Sequence, residues 1–343
     1  IEHKLGIHGS PTAVMSYGEN EGAVGYLIGD ENKGIGYMFT MMNYARLNVG
    51  LEGVAISERA YQRARAYAID RVQGRTLTEG SRGIIGHPDV RRMLMDMKAR
   101  TEAMRALAYF AAAQMDRAQS HPDEATRAKS QALVDLLIPI VKGCCTEQAQ
   151  GITADGVQIH GGMGFIEETG AAQYVRDARI TTIYEGTTGI QANDLIGRKL
   201  IRDDGVTMKA LLHTVSAEAQ RQVGSGDPVL QALGQSLQRG LEALSQATEW
   251  ILTRANQSPA ATAAGAVPYL KLCGTVLGAW LMNRAAEAAQ RQLNDNGQDD
   301  AFLSAKVITA RHYQYHVLVE ANSWRDRVIN GASSTLALQD DQF

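Results

Sequence analysis

Two stretches of this sequence decide how the rest is read. Residues 158–165 read Gln-Ile-His-Gly-Gly-Met-Gly-Phe, and residues 183–191 read Ile-Tyr-Glu-Gly-Thr-Thr-Gly-Ile-Gln. The first is a glycine-rich break after a long segment with helical apolar spacing, where the missing Cβ atoms let backbone approach a flat ligand. The second places one carboxylate, Glu185, between an aromatic residue and a glycine. It lies just before a predicted helix over 187–202, whose first N–H groups suit a polar or anionic ligand group.

Composition limits the classes of function. The chain has 343 residues, enough for about two domains, and 45% of them are hydrophobic, which permits a sizeable core. The formal net charge of −3 gives no reason to expect nucleic acid or an anionic membrane as a partner. Three cysteines, two of them adjacent (Cys144 and Cys145), make no disulfide framework. They are predicted to lie in the core of a protein from a reduced, cytoplasmic setting. No apolar run reaches about 18 residues, so no membrane span is expected.

The spacing of apolar residues predicts a mainly helical chain. Short apolar runs at 12–17 and 23–28, bounded by turn residues, are predicted as β-strands. Helices are predicted over 36–72, 88–119, 123–160, 169–179, 187–202, 206–223, 228–256, 261–293 and 298–331, with breaks at 224–228, 258–259 and 294–297. Pro139 is expected to kink or divide the third long helix. Four long helices with short connections indicate an antiparallel bundle in the first part of the chain.

The two quoted stretches resemble the signature of the acyl-CoA dehydrogenase family. That family's Q-x-x-G-G-x-G-[FY] and [IV]-Y-E-G-T blocks match here almost letter for letter. The resemblance implies a mainly α fold: residues 1–35 as the end of a central β domain, 36–202 as an antiparallel four-helix bundle, and 203–343 as an additional helical domain. It also implies that the chain is the C-terminal portion of the enzyme. Within the family, the chain looks most similar to the 3-methylmercaptopropionyl-CoA dehydrogenase type.

The resemblance implies an FAD-dependent oxidoreductase of fatty acid metabolism. Such an enzyme removes an α proton from an acyl-CoA thioester while a β hydride goes to the flavin. Glu185 matches the family's base, and its backbone N–H matches one donor to the thioester oxygen. Tyr184 would shape the pocket, and Gly186 would let the substrate lie close. Some members draw the base from the first long helix, one residue before the arginine that meets CoA. Here Ala45 precedes Arg46, so Glu185 is the expected base.

The cofactor residues also follow from the resemblance. Arg46 would contact CoA, and Arg71, 25 residues later, resembles the arginine that reaches the FAD pyrophosphate of a neighbouring subunit. The residues expected to contact FAD are Arg71, Gln158, Gly161, Gly162 and Thr187. Thr187 would lie near the flavin, and Gln158, Gly161 and Gly162 would meet the adenosine half. These contacts across subunits imply a homodimer or homotetramer. An electron-transfer flavoprotein or a similar acceptor would receive the electrons.

Two other functions stay open at this point. The same fold could bind DNA through its extra helical domain, but residues 203–343 hold 11 basic and 14 acidic residues, which disfavours phosphate contacts. The chain could also be only a helical oligomerisation module. His312 and His316, four residues apart, are a possible metal pair. The glutamate of an HExxH motif is missing, so a packed or solvated pair is favoured and no metal is expected.

Overall fold

The structure is a computed structural model that describes residues 1–296 and 300–343. Its first part, which contains both quoted stretches, is made of these helices: α1 (Gly34–Asp70), α2 (Pro88–Ser120), α3 (Glu124–His160), α4 (Ala171–Arg179) and α5 (Thr188–Asp194). The last of them continues as a π-helix over Leu195–Ile201. Short 3-10 helices lie at Ile84–Gly86, Gly161–Phe165, Glu167–Thr169 and Ile180–Thr182. α1, α2 and α3 pack against one another, and α5 packs against α3.

The C-terminal part is also helical. Its helices are α6 (Val206–Val223), α7 (Pro228–Arg254), α8 (Pro259–Ala264), α9 (Ala266–Asn296), α10 (Ala301–His312), α11 (Ala321–Asn330) and α12 (Ala332–Thr335). α10 and α11 are joined by a π-helix over Tyr313–Val317 and a 3-10 turn over Leu318–Glu320, and a final 3-10 turn lies at Asp340–Gln342. The predicted mainly α fold is confirmed. Among the described helices, none combines the length and apolar character needed to cross a membrane.

The two predicted strands are wrong as elements of this structure. Residues 12–17 and 23–28 form neither strand nor helix, and the side chains of Val14 and Tyr26 are 87% and 89% exposed. A strand is stabilised by the hydrogen-bonded ladder to its neighbours, and two short segments cannot form a stable sheet without further strands. The N-terminal segment is tied to α4 instead, where the backbone N–H of Ile7 donates to Asp177 at 2.6 Å. The assignment of 1–35 to a β domain stays a prediction.

Other boundaries differ in detail. α3 runs through Pro139 without a division, so a boundary at Pro139 is wrong, whereas a kink there stays a prediction. Pro139 is itself buried, and packing on both sides of α3 outweighs the one backbone hydrogen bond that proline removes. The predicted helix over 261–293 is divided at Gly265 into α8 and α9. α9 continues to Asn296, and the predicted break at 294–297 and helix start at 298 extend into residues that lie outside the described ones.

α3 is the central helix because other helices cover it on two sides. α1 approaches so closely that a Cβ at Gly53 would lie 2.8 Å from the carbonyl oxygen of Cys145. From the other direction, α9 brings Leu270 against Gly143, and the thiol of Cys144 donates to the carbonyl of Leu270 at 3.0 Å. The middle of α3, residues 136–146, is therefore buried on every face and is apolar at most positions. The prediction that Cys144 and Cys145 lie in the core is confirmed, and burial raises the pKa of Cys144 to about 12.

Candidate active site

Glu185 lies in a tight turn between the 3-10 helix Ile180–Thr182 and α5. The turn ends where Thr187 begins α5, its side-chain oxygen accepting the backbone N–H of Ile190 at 3.3 Å. Glu185 has a φ of 55° and Gly186 a φ of 91°, both in the left-handed region. This backbone conformation at a residue other than glycine costs about 1–3 kcal/mol. Surrounding contacts therefore have to hold the turn.

Two side chains from the bundle hold the turn through its carbonyl groups. Nε2 of Gln191 donates to the carbonyl oxygens of Glu185 at 3.1 Å and Gly186 at 3.2 Å. Nζ of Lys142, in the middle of α3, donates to the same Gly186 oxygen at 2.6 Å. A Cβ at Gly186 would lie 2.7 Å from Nε2 of Gln191. Glycine is thus required at this position by its φ and by its close neighbour.

Glu185 keeps two groups available for a ligand. Its side chain is partly buried, and neither its carboxylate nor its backbone N–H makes a hydrogen bond within residues 1–296 and 300–343. One residue therefore offers a proton acceptor and a hydrogen-bond donor side by side. That pair is what proton abstraction next to a carbonyl needs, because the proton and the developing oxygen charge both require a partner.

Tyr184 fastens the turn to α1. Its hydroxyl donates to the carboxylate of Glu52. Burial, and then this hydrogen bond, raise the pKa of Tyr184 far above its ordinary value. The phenol stays protonated and keeps donating to Glu52, so its ring forms a fixed wall beside Glu185.

Lys142 brings a buried positive charge to the site. The side chain is fully buried in α3. Burial, and then the nearby guanidinium of Arg46, lower the pKa of Lys142 from 10.5 to about 8, while the negative charge of Glu185 acts in the opposite direction. The ammonium of Lys142 and the carboxylate of Glu185 are therefore close enough to attract each other.

Arg46 lies in a buried ion pair, although the sequence predicts it as a contact of CoA. Its Nη1 is 2.8 Å from Oδ2 of Asp194 in α5, and the two side chains are 8% and 7% exposed. Nε of Arg46 has no hydrogen-bond partner in the part of the chain that the structure describes. The guanidinium thus joins α1 to α5, and its Nε–H stays without a partner among the described residues.

A second group of predicted residues meets in a cleft at the far end of α3. Arg71, Gly161 and Gly162 line this cleft of about 490 Å³, together with Tyr67 and His160. His160 is buried and stacks on Tyr67, with ring centroids 4.4 Å apart. Gly161 has a φ of 59°, and a Cβ added at Gly161 or Gly162 would meet no atom within 4 Å. The backbone of both glycines is therefore open to a ligand beside a guanidinium.

The remaining predicted cofactor residues lie apart from this cleft's lining. Gln158 is exposed on the last turn of α3, where its carbonyl accepts the N–H of Gly161. Thr187 is exposed at the start of α5, beside Glu185. Lys142 and Gly161 are 19 residues apart on α3. Because an α-helix rises about 1.5 Å per residue, the Glu185 turn and the cleft are roughly 28 Å apart.

Four residues of the site were not predicted from the sequence. They are Lys142, Gln191, Asp194 and Glu52, and no motif in the sequence indicates a role in the site for any of them. Lys142 carried a usable signal, because it is a single charged residue within an apolar stretch whose neighbours are buried. The other three are ordinary polar helix residues whose partners lie on other elements, so local sequence gives no sign of their contacts.

His312 and His316 form a packed pair, as predicted. Their rings stack with centroids 4.1 Å apart, and Nε2 of His312 donates to Oδ1 of Asp96 at 2.8 Å. Ligand atoms of the three residues lie within 4.8 Å of one another. Burial raises the pKa of the Asp96 carboxyl, but the hydrogen bond to His312 and the charges of His312, Arg100 and Arg92 together hold it below the ordinary value. The pair is thus held by ring stacking and by the hydrogen bond to Asp96, and the expectation that it binds no metal stays a prediction.

Comparison with protein families covers most of the chain. Residues 32–201 match the model described as acyl-CoA dehydrogenase, C-terminal domain. Residues 209–339 match the model described as acetyl-CoA dehydrogenase C-terminal like. The Glu185 turn and the glycine cleft both fall in the first match, and α9 falls in the second.

Relatives and solved structures agree with these matches. The chain is 47% identical to the 3-methylmercaptopropionyl-CoA dehydrogenase of Ruegeria pomeroyi, over 98% of this chain and 57% of that protein. It is 34% identical to the broad-specificity linear acyl-CoA dehydrogenase FadE5 of Mycobacterium tuberculosis, over 100% of this chain and 58% of that protein. It thus spans a little over half the length of these relatives.

The fold is also that of known structures. Caenorhabditis elegans ACDH-11 in complex with C11-CoA superposes with a TM-score of 0.75 at 19% identity, over 99% of this chain and 54% of that one. An acyl-CoA dehydrogenase complexed with FAD from Bacillus anthracis gives a TM-score of 0.67 at 21% identity, over 90% and 51%. These two likenesses concern the fold alone. With both family models and the sequence relatives in agreement, the chain belongs to the acyl-CoA dehydrogenase family.

Proposed function

We propose that this chain carries the catalytic base of an FAD-dependent acyl-CoA dehydrogenase. The observation that carries the proposal is the turn at Glu185. Its strained backbone is held from both sides and presents a carboxylate and an unoccupied N–H on one residue. Strain of this kind persists where the surrounding structure enforces it, which is typical of functional sites.

Each residue of the site has its own role in α,β-dehydrogenation. The carboxylate of Glu185 takes the proton from the carbon next to the thioester, and its backbone N–H donates to the thioester oxygen as negative charge develops there. Tyr184 forms one wall of the acyl pocket, and Gly186 leaves room for the substrate because it has no side chain. The guanidinium of Arg46, held by Asp194 through Nη1, would meet CoA with its remaining N–H groups. When bound, FAD supplies the acceptor for the β hydride.

The cleft at the end of α3 fits part of FAD. Arg71 is exposed beside the open backbone of Gly161 and Gly162, an arrangement that suits a pyrophosphate. Gln158 lies one turn earlier and would meet the adenosine half, while Thr187 lies beside the base and would meet the flavin. A separation of roughly 28 Å along α3 supports two different FAD molecules for these contacts. We therefore propose a homo-oligomer in which each cleft serves a neighbouring subunit's flavin.

The acyl group and the electron acceptor are further parts of the proposal. The relative at 47% identity is named for 3-methylmercaptopropionyl-CoA, so short thioesters of that class are the first candidates. An electron-transfer flavoprotein or a similar protein would accept the electrons. A DNA-binding role of residues 203–343 is disfavoured, because this region has more acidic than basic residues and its helix α9 packs on α3.

The test compares Glu185→Gln with Glu168→Gln in the full-length gene product. Glu168 is an exposed glutamate in the 3-10 helix Glu167–Thr169, before α4, and serves as the matched control. Both variants are assayed against acyl-CoAs of increasing chain length with a dye as electron acceptor. Loss of a general base is expected to lower kcat by about 10²- to 10⁴-fold without loss of bound FAD. Activity of Glu185→Gln within tenfold of the control would refute Glu185 as the base.

A further inference from the structure

Lys142 is a fully buried lysine whose position the proposed reaction does not yet explain. It lies among buried apolar residues of α3, including Ile140 and Val141. A buried ammonium is costly unless it is paired and hydrogen-bonded. Its Nζ donates to the carbonyl of Gly186 at 2.6 Å, directly after the base. The lysine is therefore kept inside the bundle at the one turn where the chemistry is proposed.

The charges around Lys142 come from three elements. Arg46 and Glu52 lie on α1, Glu147 lies one turn further along α3, and Glu185 lies on the turn itself. The three carboxylates favour the ammonium, whereas burial and Arg46 disfavour it. The outcome is a lysine that titrates at about pH 8 and is mostly protonated at neutral pH.

The hydrogen bond restrains a backbone that would otherwise relax. Glu185 and Gly186 are consecutive residues with positive φ, and the Gly186 carbonyl fixes the second peptide of the pair. Gln191 also reaches this carbonyl, but at 3.2 Å and as a neutral donor. Hydrogen bonds from charged donors are roughly twice as strong as those between neutral groups. The lysine is thus the stronger of the two restraints.

We propose that Lys142 is the positioning residue of the base. Its ammonium holds the Gly186 carbonyl, which places the carboxylate and backbone N–H of Glu185. This inference rests on the proposed function, because it assigns Lys142 a role through Glu185. Lys142 touches neither substrate nor cofactor in it.

The experiment compares Lys142→Met and Lys142→Arg with Lys209→Met in the full-length gene product. Lys209 is a matched control, because its Nζ also donates to a backbone carbonyl, that of Asp204, but on an exposed loop. Lys142→Met is expected to lower kcat by about 10- to 100-fold, the loss typical of a hydrogen bond from a charged donor. KM should change by less than about threefold, because uniform substrate binding is untouched. Lys142→Arg, which keeps a charged donor, should recover part of the rate.

The pH profile distinguishes positioning from mere structural support. In the unmodified enzyme, kcat should fall above about pH 8, where Lys142 loses its proton, and Lys142→Arg should move this decline to higher pH because arginine stays charged. In Lys142→Met this decline should be absent, because methionine has no proton to lose. The melting temperature and bound FAD are measured for each variant.

Each outcome decides the inference. Should Lys142→Met keep the kcat and the pH profile of the Lys209→Met control while Glu185→Gln is inactive, the role of Lys142 is refuted and the proposed function stands. Should Glu185→Gln itself be active, the proposed function fails and this inference fails with it. If Lys142→Met does not fold, a kcat of the unmodified enzyme that stays constant from about pH 7 to about pH 9.5 would overturn the role of the charge.

Discussion

Removal of the Asp194 carboxylate should strongly destabilise the chain, because it would leave Arg46 as an unpaired buried charge. The two side chains are 8% and 7% exposed, and the N–O distance is 2.8 Å. They are 148 positions apart in the sequence, so their bond joins α1 to the helix that follows the base turn. Breaking a buried pair by removing one partner costs about 3–5 kcal/mol. We therefore expect Asp194→Ala to lower the free energy of unfolding by that amount.

The burial of the pair sets this magnitude, and an exposed pair provides the comparison. Arg92 and Asp89 are also 2.8 Å apart, but their side chains are 48% and 72% exposed. Exposed pairs contribute about 0–1 kcal/mol, so Asp89→Ala should have a small effect. The double variant Arg46→Met with Asp194→Leu removes both buried charges. Such replacements are often neutral or stabilising, so it should be much more stable than Asp194→Ala.

The assay is urea denaturation followed by far-UV circular dichroism for the three variants and the unmodified protein. Two results would refute the reasoning. One is an Asp194→Ala variant that unfolds at the same urea concentration as Asp89→Ala. The other is a double variant that is no more stable than Asp194→Ala, since the cost would then not arise from the unpaired guanidinium of Arg46.

Three further predictions concern the cleft, the helix packing and the stability of the protein at low pH. Arg71→Met should weaken FAD binding by about 10- to 100-fold, as expected for a lost charged hydrogen bond, and a fluorescence titration with FAD that gives an unchanged Kd would contradict this. Gly53→Ala should lower the free energy of unfolding by about 1–3 kcal/mol, because its Cβ would meet the backbone of α3. Gly151 has open space around it, so Gly151→Ala should stabilise the helix by about 0.5–1 kcal/mol. Equal shifts of the melting temperature in the two variants would refute the packing argument. Asp96 has a folded-state pKa below its ordinary 3.8, because His312, Arg100 and Arg92 together outweigh its burial. Its ionised carboxylate therefore stabilises the fold above that pH and loses this effect as the pH falls through the folded pKa. The stability difference between the unmodified protein and Asp96→Asn should accordingly shrink in acid, and a difference independent of pH would contradict it.

The helices were predictable because their signals are local. Pro88 marks the first turn of α2, and Asp123 accepts the N–H of Thr126 at the start of α3, as its position before the helix predicts. The predicted strands at 12–17 and 23–28 failed for the opposite reason. Their stability depends on neighbouring strands, which a local pattern cannot supply.

The sequence predicted which residues belong to the site but not how they are arranged. The family motifs identified Glu185, Arg71, Gly161 and Gly162 as site residues. The last three line the same cleft in the structure. The motifs gave no sign that Arg46 would be buried, because the reason is Asp194 at a distant position. The contact made by Lys142 was also not indicated by the sequence, because its hydrogen-bond acceptor is the backbone carbonyl of Gly186. Every residue has such a carbonyl, so the partner is known only from the folded structure.

The additional helices reach the base turn through α3, which gives them a physical role beyond covering apolar surface. Glu147 accepts a hydrogen bond from Thr188 at the start of α5 at 2.7 Å, and its other oxygen pairs with Lys271 of α9 at 3.1 Å. One turn earlier on α3, Lys142 holds Gly186. The helix that carries both supports is therefore fixed on one side by α1 and on the other by α9. Because a strained turn keeps its conformation only while its supports stay in place, the packing of α9 on α3 contributes to the geometry of the base without contacting it.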